Sequence, residues 1–548
     1  MDANKLHPYP INPKYSKRVA YFSMEYAIDQ ALKTYSGGLG FLAGSHMHSA
    51  YDLKQNVIGI GILWKFGYYD QVRNADNSMG VLFQEKIYSF LEDSGIMVPV
   101  YINKHQVYVK ALYLPPHVFG TAPLFFLTTD IPENDYLAQT ITYKLYDADT
   151  AARIAQNIVL GIGGAKVIEA LGGAEIYHMN EAHALPLIFH LYNQLGQSSD
   201  AIRQKLVFTT HTPEKAGNEE HDIFLLDKMG FFGSLSLDEA RAITGENGQM
   251  FNHSLVALRF AKVANGVSQL HGRVSREMWK NYVGVCEIKA ITNSQNSTYW
   301  SDKAMNEALA DGDDDRLKHR KKHLKKRLIQ LIADQTGKMF DKDAIIIVWA
   351  RRFAEYKRAD LIKRDITRFN KLISQTDKKV QIVWAGKPYP SDYNAISLFN
   401  HLVQSSKHLP NCAVLTGYEL GLSSLLKKGA DVWLNTPRRP REASGTSGMS
   451  AAMNGAVNLT ISDGWIPEFA RHGENAFVLP IADTRQPIDQ QDNFDNQNLM
   501  DMLENDILPL YYDKPDQWFE IVKNSMRDVM PYFDSARMAD EYYELYNQ

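Results

Sequence analysis

Apolar residues along this chain fall into short runs separated by amphipathic stretches, and the pattern occurs twice. RVAYFSM, residues 18–24, predicts a first buried strand. NVIGIGILWKFGYYDQ, residues 56–71, predicts strand, turn and strand; residues 81–132 alternate apolar runs with turns, as antiparallel strands do. Residues 151–171 carry a helical pattern with Gly161, Gly163 and Gly164 inside it. Close packing explains those glycines better than phosphate binding, because GGAK lacks the full P-loop pattern. Residues 175–179 and 206–210 predict two more strands, and residues 260–279 predict a helix, a turn and a second helix. A polar helical stretch, residues 301–340, leads into the second half. There a fully apolar strand starting at Ala344 is followed by VQIVWAGK, CAVLTGYE and ADVWL as strands, LGLSSLLKKG as a helix, and a helical tail.

Strands alternating with helices in both halves predict the α/β class, as two doubly wound Rossmann-like domains facing across a cleft. The expected boundaries are an N-terminal domain over residues 1–292, a C-terminal domain over 293–505, and helices over 506–548 that pack back on the first domain. In such sheets, polar residues at the carboxyl ends of strands face the ligand. That rule selects Asn180, Glu181 and His183 after one strand, His211 after the next, and Arg352 and Lys357 after the strand that opens the second half. Lys387, Tyr418, Glu419 and Asp463 occupy strand ends as a second tier. YSGGLGFLAG places Gly37, Gly38, Leu39 and Gly40 between a strand and an amphipathic segment, where backbone can approach a ligand closely. Its spacing is not that of the dinucleotide fingerprint.

Composition narrows the picture. The chain has 548 residues, 45% hydrophobic and 22% charged, with a net charge of −4, so no global field favours nucleic acid or an anionic membrane. DGDDD and RLKHRKKHLKKR stand side by side and nearly cancel. With Leu317, Leu324, Leu328 and Leu331 on the other face, they read as a solvated helix rather than a nucleic-acid site. Cys286 and Cys412 fit no metal-ligand spacing, no metal is expected, and a reducing compartment is implied. No apolar signal core opens the chain and no run of about 18 apolar residues occurs, so a cytoplasmic protein is expected.

The most informative stretch is NTPRRPREASGTSGMSAAMNG, residues 435–455. A strand, a loop of Ser444, Gly445, Thr446, Ser447 and Gly448, and then a helix present backbone N–H groups to an anion, with arginines and Glu442 beside them. EASGTSGM followed by NGA resembles the active-site signature of the α-glucan (glycogen and starch) phosphorylases, in a short form. The GGLG loop, THTP, EYKR and the C-terminal elements extend the resemblance over nearly the whole chain, which implies the glycosyltransferase-B architecture.

What the resemblance implies for the residues is specific. Arg352 and Lys357 match residues that grip the reacting phosphate, His211 and Glu442 match residues that meet the sugar, and Asn293 matches an asparagine that reaches it. Ser294, Gln295 and Asn296 depart from the family's continuation. In the family the residue after the Met is the lysine that holds pyridoxal phosphate as a Schiff base; here it is Ser450, which has no amine. Related sugar-nucleotide transferases place a ribose-binding acid in the same register, and Ser450 supplies neither group. No covalent cofactor is therefore expected. Three readings stay open: a pyridoxal-phosphate-independent retaining glucosyltransferase taking a nucleotide-sugar donor to an α-1,4-glucan, an α-glucan phosphorylase with a noncovalent cofactor that makes glucose 1-phosphate, and an inactive glucan-binding protein. Retention of Arg352, Lys357, His211 and Glu442 disfavours the last. By the same analogy a homodimer is one expected assembly.

Overall fold

The computed structural model describes residues 6–548. The chain forms two compact units: one takes the chain up to Tyr69, Phe83–Asn296 and Ser535–Gln548, the other Asp70–Leu82 and Ser297–Asp534. Among the described residues no helix is long and apolar enough to cross a membrane.

The first unit is organised on β1 (Val19–Ser23), β2 (Val57–Ile62), β3 (Glu92–Ile102), β4 (His105–Leu114), β5 (Leu124–Thr128), β6 (Ile176–Asn180), β7 (Leu206–Thr209), β8 (Val263–Gly266) and β9 (Glu287–Ala290). Their order across the sheet is β9-β8-β7-β6-β1-β2-β5-β4-β3. The run from β9 to β5 is parallel, while β4 and β3 extend it as an antiparallel edge. The central strands are buried from end to end, as expected where helices cover both faces. Helix α1 (Gly38–Asp52) follows β1.

The second unit carries helix α2 (Asp314–Thr336), whose Leu317, Leu324 and Leu328 are buried while most of its charged residues look outward, as on a solvated helix. Its sheet holds β10 (Ile345–Ala350), β11 (Val380–Ala385), β12 (Cys412–Leu415), β13 (Val432–Asn435), β14 (Val457–Ile461) and β15 (Ala476–Leu479), all parallel, in the order β12-β11-β10-β13-β14-β15. Its helices include α3 (Leu420–Gly429), α4 (Ser447–Ala452) and α5 (Ile488–Met502).

Each sheet thus reverses its strand order once, between β1 and β6 in the first unit and between β10 and β13 in the second. The carboxyl ends of those strands flank the two switch points, where open α/β sheets bind ligands.

Three local expectations change. Residues 260–279 were expected as helix, turn, helix, but β8 lies between the helices. Four buried residues, VANG, are too short for any periodicity to register, and Gly266 is required because a Cβ there would meet Gly272 N at 2.9 Å. The second strand of the 56–71 stretch, Asp70–Arg73, pairs with Met79–Leu82 and belongs to the other unit. There Gln71 Nε2 donates to Gly386 O at 2.9 Å and Gly417 N donates to Gln71 Oε1 at 3.0 Å. Of residues 506–548, only Ser535–Gln548 joins the first unit, and the helices before it stay with the second. Gly161 and Gly164 do serve packing: added Cβ atoms would meet Ala184 O at 2.6 Å and Phe22 Cε1 at 2.7 Å.

Candidate active site

In the second unit β10 ends at Ala350, so Arg351 and Arg352 leave the sheet at its switch point; β13 ends at Asn435, and the chain from there reaches Glu442. Lys357 Nζ donates to Glu442 Oε2 at 2.5 Å, and Arg351 Nη2 lies 3.3 Å from the same oxygen. Burial acts to raise the Glu442 pKa, but the charges of Lys357, Arg351 and Arg352 prevail and hold it below the usual carboxylate range. Arg352 is exposed and adds its charge from the solvent side, whereas Arg351 is buried with Nε and Nη1 making no hydrogen bond. A buried guanidinium with idle donors is costly unless a ligand or water completes it. Arg351 lines a cavity of about 20 Å³, room for one water, together with Asn435, Glu442, Gly445, Gly448 and Asp463. Asn435 Oδ1 is likewise buried without a partner.

The Gly/Ser loop is shaped by its neighbours. A Cβ on Gly445 would meet Arg351 Nη2 at 3.0 Å, and one on Gly448 would meet Asn458 Oδ1 at 2.5 Å. Ser444 and Thr446 complete the turn, and Ser447 opens α4, its hydroxyl accepting from Trp433 Nε1 at 3.3 Å. Since α4 has only six residues, its dipole adds little and the cationic side chains dominate the local field. Glu442 N donates to Asp463 Oδ2 at 3.0 Å and Gly464 N to Asp463 Oδ1 at 2.9 Å, while burial pushes the Asp463 carboxyl up to about 7. Ser450 is fully buried on α4, its hydroxyl turned back onto Thr446 O and Ser447 O, both at 3.3 Å. Of the second tier, Lys387 pairs with Glu419 at 3.0 Å and Tyr418 OH donates to Ala350 O at 3.3 Å.

The first unit gathers its own set. Asn180 ends β6 beside Ser23 of β1. Asn180 Oδ1 accepts from His211 Nε2 at 2.7 Å, and its Nδ2 donates to Ser23 Oγ at 3.2 Å. Glu181 sits at φ +68 and ψ 172, a conformation that glycine alone adopts readily. The carboxylate accepts from His211 N, and burial raises its pKa to about 7. Burial lowers His211 to about 3, so the ring is neutral. His271 orients the THTP turn: Val267 N donates to its Nδ1 at 3.1 Å, so Nε2 carries the proton it gives to Thr212 O at 3.0 Å. His183 lies beside Tyr146, with ring centroids 5.9 Å apart.

Glu25, which ends the first apolar run, proves to be the support of the GGLG loop. Its carboxylate accepts from Ser36 N at 2.6 Å, Gly37 N at 3.0 Å and Tyr146 OH at 2.7 Å. Gly40 is needed because a Cβ would meet Glu25 Oε2 at 2.8 Å, while added Cβ atoms on Gly37 and Gly38 would find open space. Leu39 lies between them in the first turn of α1. Asn293 stands after β9, two strands over from His211, its N donating to Val267 O at 2.9 Å. Ser294, Gln295 and Asn296 are buried: Ser294 Oγ accepts from Arg537 at 2.5 Å, Gln295 O from Ser535 N at 3.0 Å, and Asn296 Nδ2 donates to Ser49 Oγ at 3.0 Å. Those three residues tie the loop to α1 and the C-terminal helix.

Sequence reasoning passed over Glu25 and Arg351 as site residues. Arg351 carried a signal, since it is the first residue after an apolar strand. Glu25 carried the same signal as the first residue after RVAYFSM, but its role did not show, because its partners are contributed by a loop and by Tyr146, 121 positions away.

Comparison with known proteins agrees with this geometry. A family model described as carbohydrate phosphorylase matches residues 249–505. The chain is 34% identical to the maltodextrin phosphorylase of Thermococcus litoralis over 97% of this chain and 70% of that protein. It is 31% identical to the glycogen phosphorylase of Mycobacterium tuberculosis over 96% and 70%. An uncharacterised protein of Methanocaldococcus jannaschii is 46% identical over 96% of this chain and 99% of its own. The chain belongs to the α-glucan phosphorylase family of glycosyltransferases.

Proposed function

We propose that the protein is a retaining glucosyltransferase that extends an α-1,4-glucan from a nucleotide-sugar donor, without pyridoxal phosphate. The observation that carries this reading is the pairing of a full cation set with an amine-free α4. Arg351 and Lys357 converge on Glu442, whereas Ser450 turns its hydroxyl into its own helix. A covalently held cofactor would need an amine at that position, and the residues present do not fit one. A nucleotide sugar brings its own second phosphate, so the anion beside the reacting phosphate arrives with the substrate.

The chemistry follows from charge. Cleaving the glucosyl–phosphate bond builds negative charge on the leaving diphosphate and positive charge on the sugar ring. Arg351 and Lys357 are already oriented by Glu442, so they stabilise the leaving group without reorganising, and the exposed Arg352 adds its charge. In the second unit Glu442 holds a sugar hydroxyl; within the first unit His211 is neutral, is fixed by Asn180 and Glu181, and keeps a nitrogen for hydrogen bonding rather than a charge.

The test incubates purified protein with maltodextrin and UDP-, ADP- or GDP-glucose, and in parallel with phosphate with and without pyridoxal phosphate. Nucleoside diphosphate release with glucan elongation is the expected result. A second reading, phosphorolysis with a noncovalent cofactor, is favoured by relatives named as phosphorylases. Glucose 1-phosphate formed only when pyridoxal phosphate is added would establish it and overturn the first.

A further inference from the structure

Beside the Lys357–Glu442 pair lies a second cluster of charges, of which Arg358 and Asp492 also line a cavity of about 530 Å³. We infer that Arg358, Arg438 and Asp492 are positioning residues, a brace that sets Lys357 against Glu442.

Arg358 follows Lys357 directly and sits at φ +51, a left-handed conformation unfavourable for an arginine. Its guanidinium is almost wholly spent on protein acceptors: Nε donates to Thr436 O at 2.8 Å, Nη2 to Pro437 O at 3.1 Å, and Nη1 reaches both Asp492 and Asp495 at 2.8 Å. Arg438 grips Asp492 from the other side, with Nη2 at 2.9 Å and Nε at 3.3 Å. Burial acts to raise the Asp492 carboxyl, but its two arginines win and keep it ionised. The backbones are joined as well. Arg438 N donates to Tyr356 O at 2.6 Å, and Thr436 Oγ1 lies 3.3 Å from both Lys357 O and Arg358 O.

The segment carrying Lys357 is therefore fastened to residues 436–438, and four residues later that chain supplies Glu442. Asp492 on α5 is the common anchor. Arg364 Nη1 also lies 3.9 Å from Asp492 and Arg438 Nη1 3.4 Å from Glu355, so three arginines face three carboxylates and most donors are satisfied within the protein. The cluster over-determines the strained turn that aims Lys357. The inference rests on the reading of Lys357 and Glu442 as the phosphate-facing pair, but not on which donor is used.

The experiment measures acetylation of individual lysines by mass spectrometry in the full-length protein and in Asp492→Asn, Asp492→Glu and Arg438→Gln. Lys325, buried and paired with Asp431 at 2.7 Å in the same unit, is the internal control. Expected is a rise of about tenfold in Lys357 labelling for Asp492→Asn with Lys325 unchanged, and partial rescue in Asp492→Glu, because only the local turn opens. Arg438→Gln, which keeps the Arg358–Asp492 arm, should give a smaller rise. Where turnover of UDP-glucose or glucose 1-phosphate is measurable, kcat falls while KM for maltodextrin holds. Lys357 and Lys325 rising together would mean general loosening and would overturn the brace, as would unchanged Lys357 labelling. A wild type inactive with every donor would count against the donor reading alone, with labelling still deciding the brace.

Discussion

One oxygen of Glu442 is shared by two cations: Lys357 Nζ at 2.5 Å and Arg351 Nη2 at 3.3 Å. All three side chains are largely withdrawn from water. The carboxylate orients the cations before any anion arrives, and a donor phosphate would meet charges that need not be rearranged.

Lys357→Met should lower kcat by about 10²-fold or more, the usual cost of removing one preorganised donor from a charge-building step. Glucan affinity should change little. Steady-state kinetics with maltodextrin and the active donor separate the two, and an equal loss in KM would assign Lys357 to ground-state binding instead.

The glycines divide into two kinds. Gly448→Ala forces a Cβ to 2.5 Å from Asn458 Oδ1, whose amide also donates to Gly448 O at 3.0 Å, so a loss of about 1–3 kcal/mol is expected in denaturant unfolding. Gly37→Ala meets nothing within 4 Å and should cost less than about 1 kcal/mol, while weakening sugar binding if a ligand approaches that loop.

Acid should unfold the first unit. His46, His178, His211 and His253 are buried there with pKa values depressed by desolvation, to about 3 for His46, His211 and His253. A histidine lowered in the folded state takes up its proton only on unfolding. Its stabilisation is complete above the ordinary value of 6.5 and drains as pH falls from there towards 3, at up to about 1.4 kcal/mol per group per pH unit. Thermal midpoints measured between pH 7 and 5 should fall, with hydrogen exchange rising first in β6 and β7.

Asp463 carries the opposite sign. Its folded pKa is raised from 3.8 to about 7, so its contribution is full below 3.8 and is lost as pH rises towards 7. Asp463→Asn should flatten that part of the stability profile and remove an ionisation near pH 7 from the rate profile. An unchanged rate profile would show that Asp463 does not report on Glu442.

Much of the site was readable because strand ends announce themselves. Arg352, Lys357, Asn180, His211 and Glu442 all follow apolar runs, and the resemblance in EASGTSGM named their neighbourhood. Arg352 and Arg351 show the limit of that method. Both follow the same strand, and only packing decides that Arg351 turns inward to Glu442 while Arg352 faces solvent. The strand VANG was invisible for a related reason: four residues inside a parallel sheet carry no alternation, and their strand identity comes from neighbours on both sides.

The sequence by itself determined the α/β class, the amine-free position 450 and the chemical types at the strand ends, because these depend on local pattern and residue identity. Tertiary structure alone decided which strands flank each switch point, that Glu25 holds the GGLG loop, and that Asp492 anchors two segments lying 134 and 54 positions away. Such relationships depend on strand pairing and on the hydrogen bonds of buried carboxylates, whose partners are chosen by the packing of other elements and leave no periodic trace in the chain.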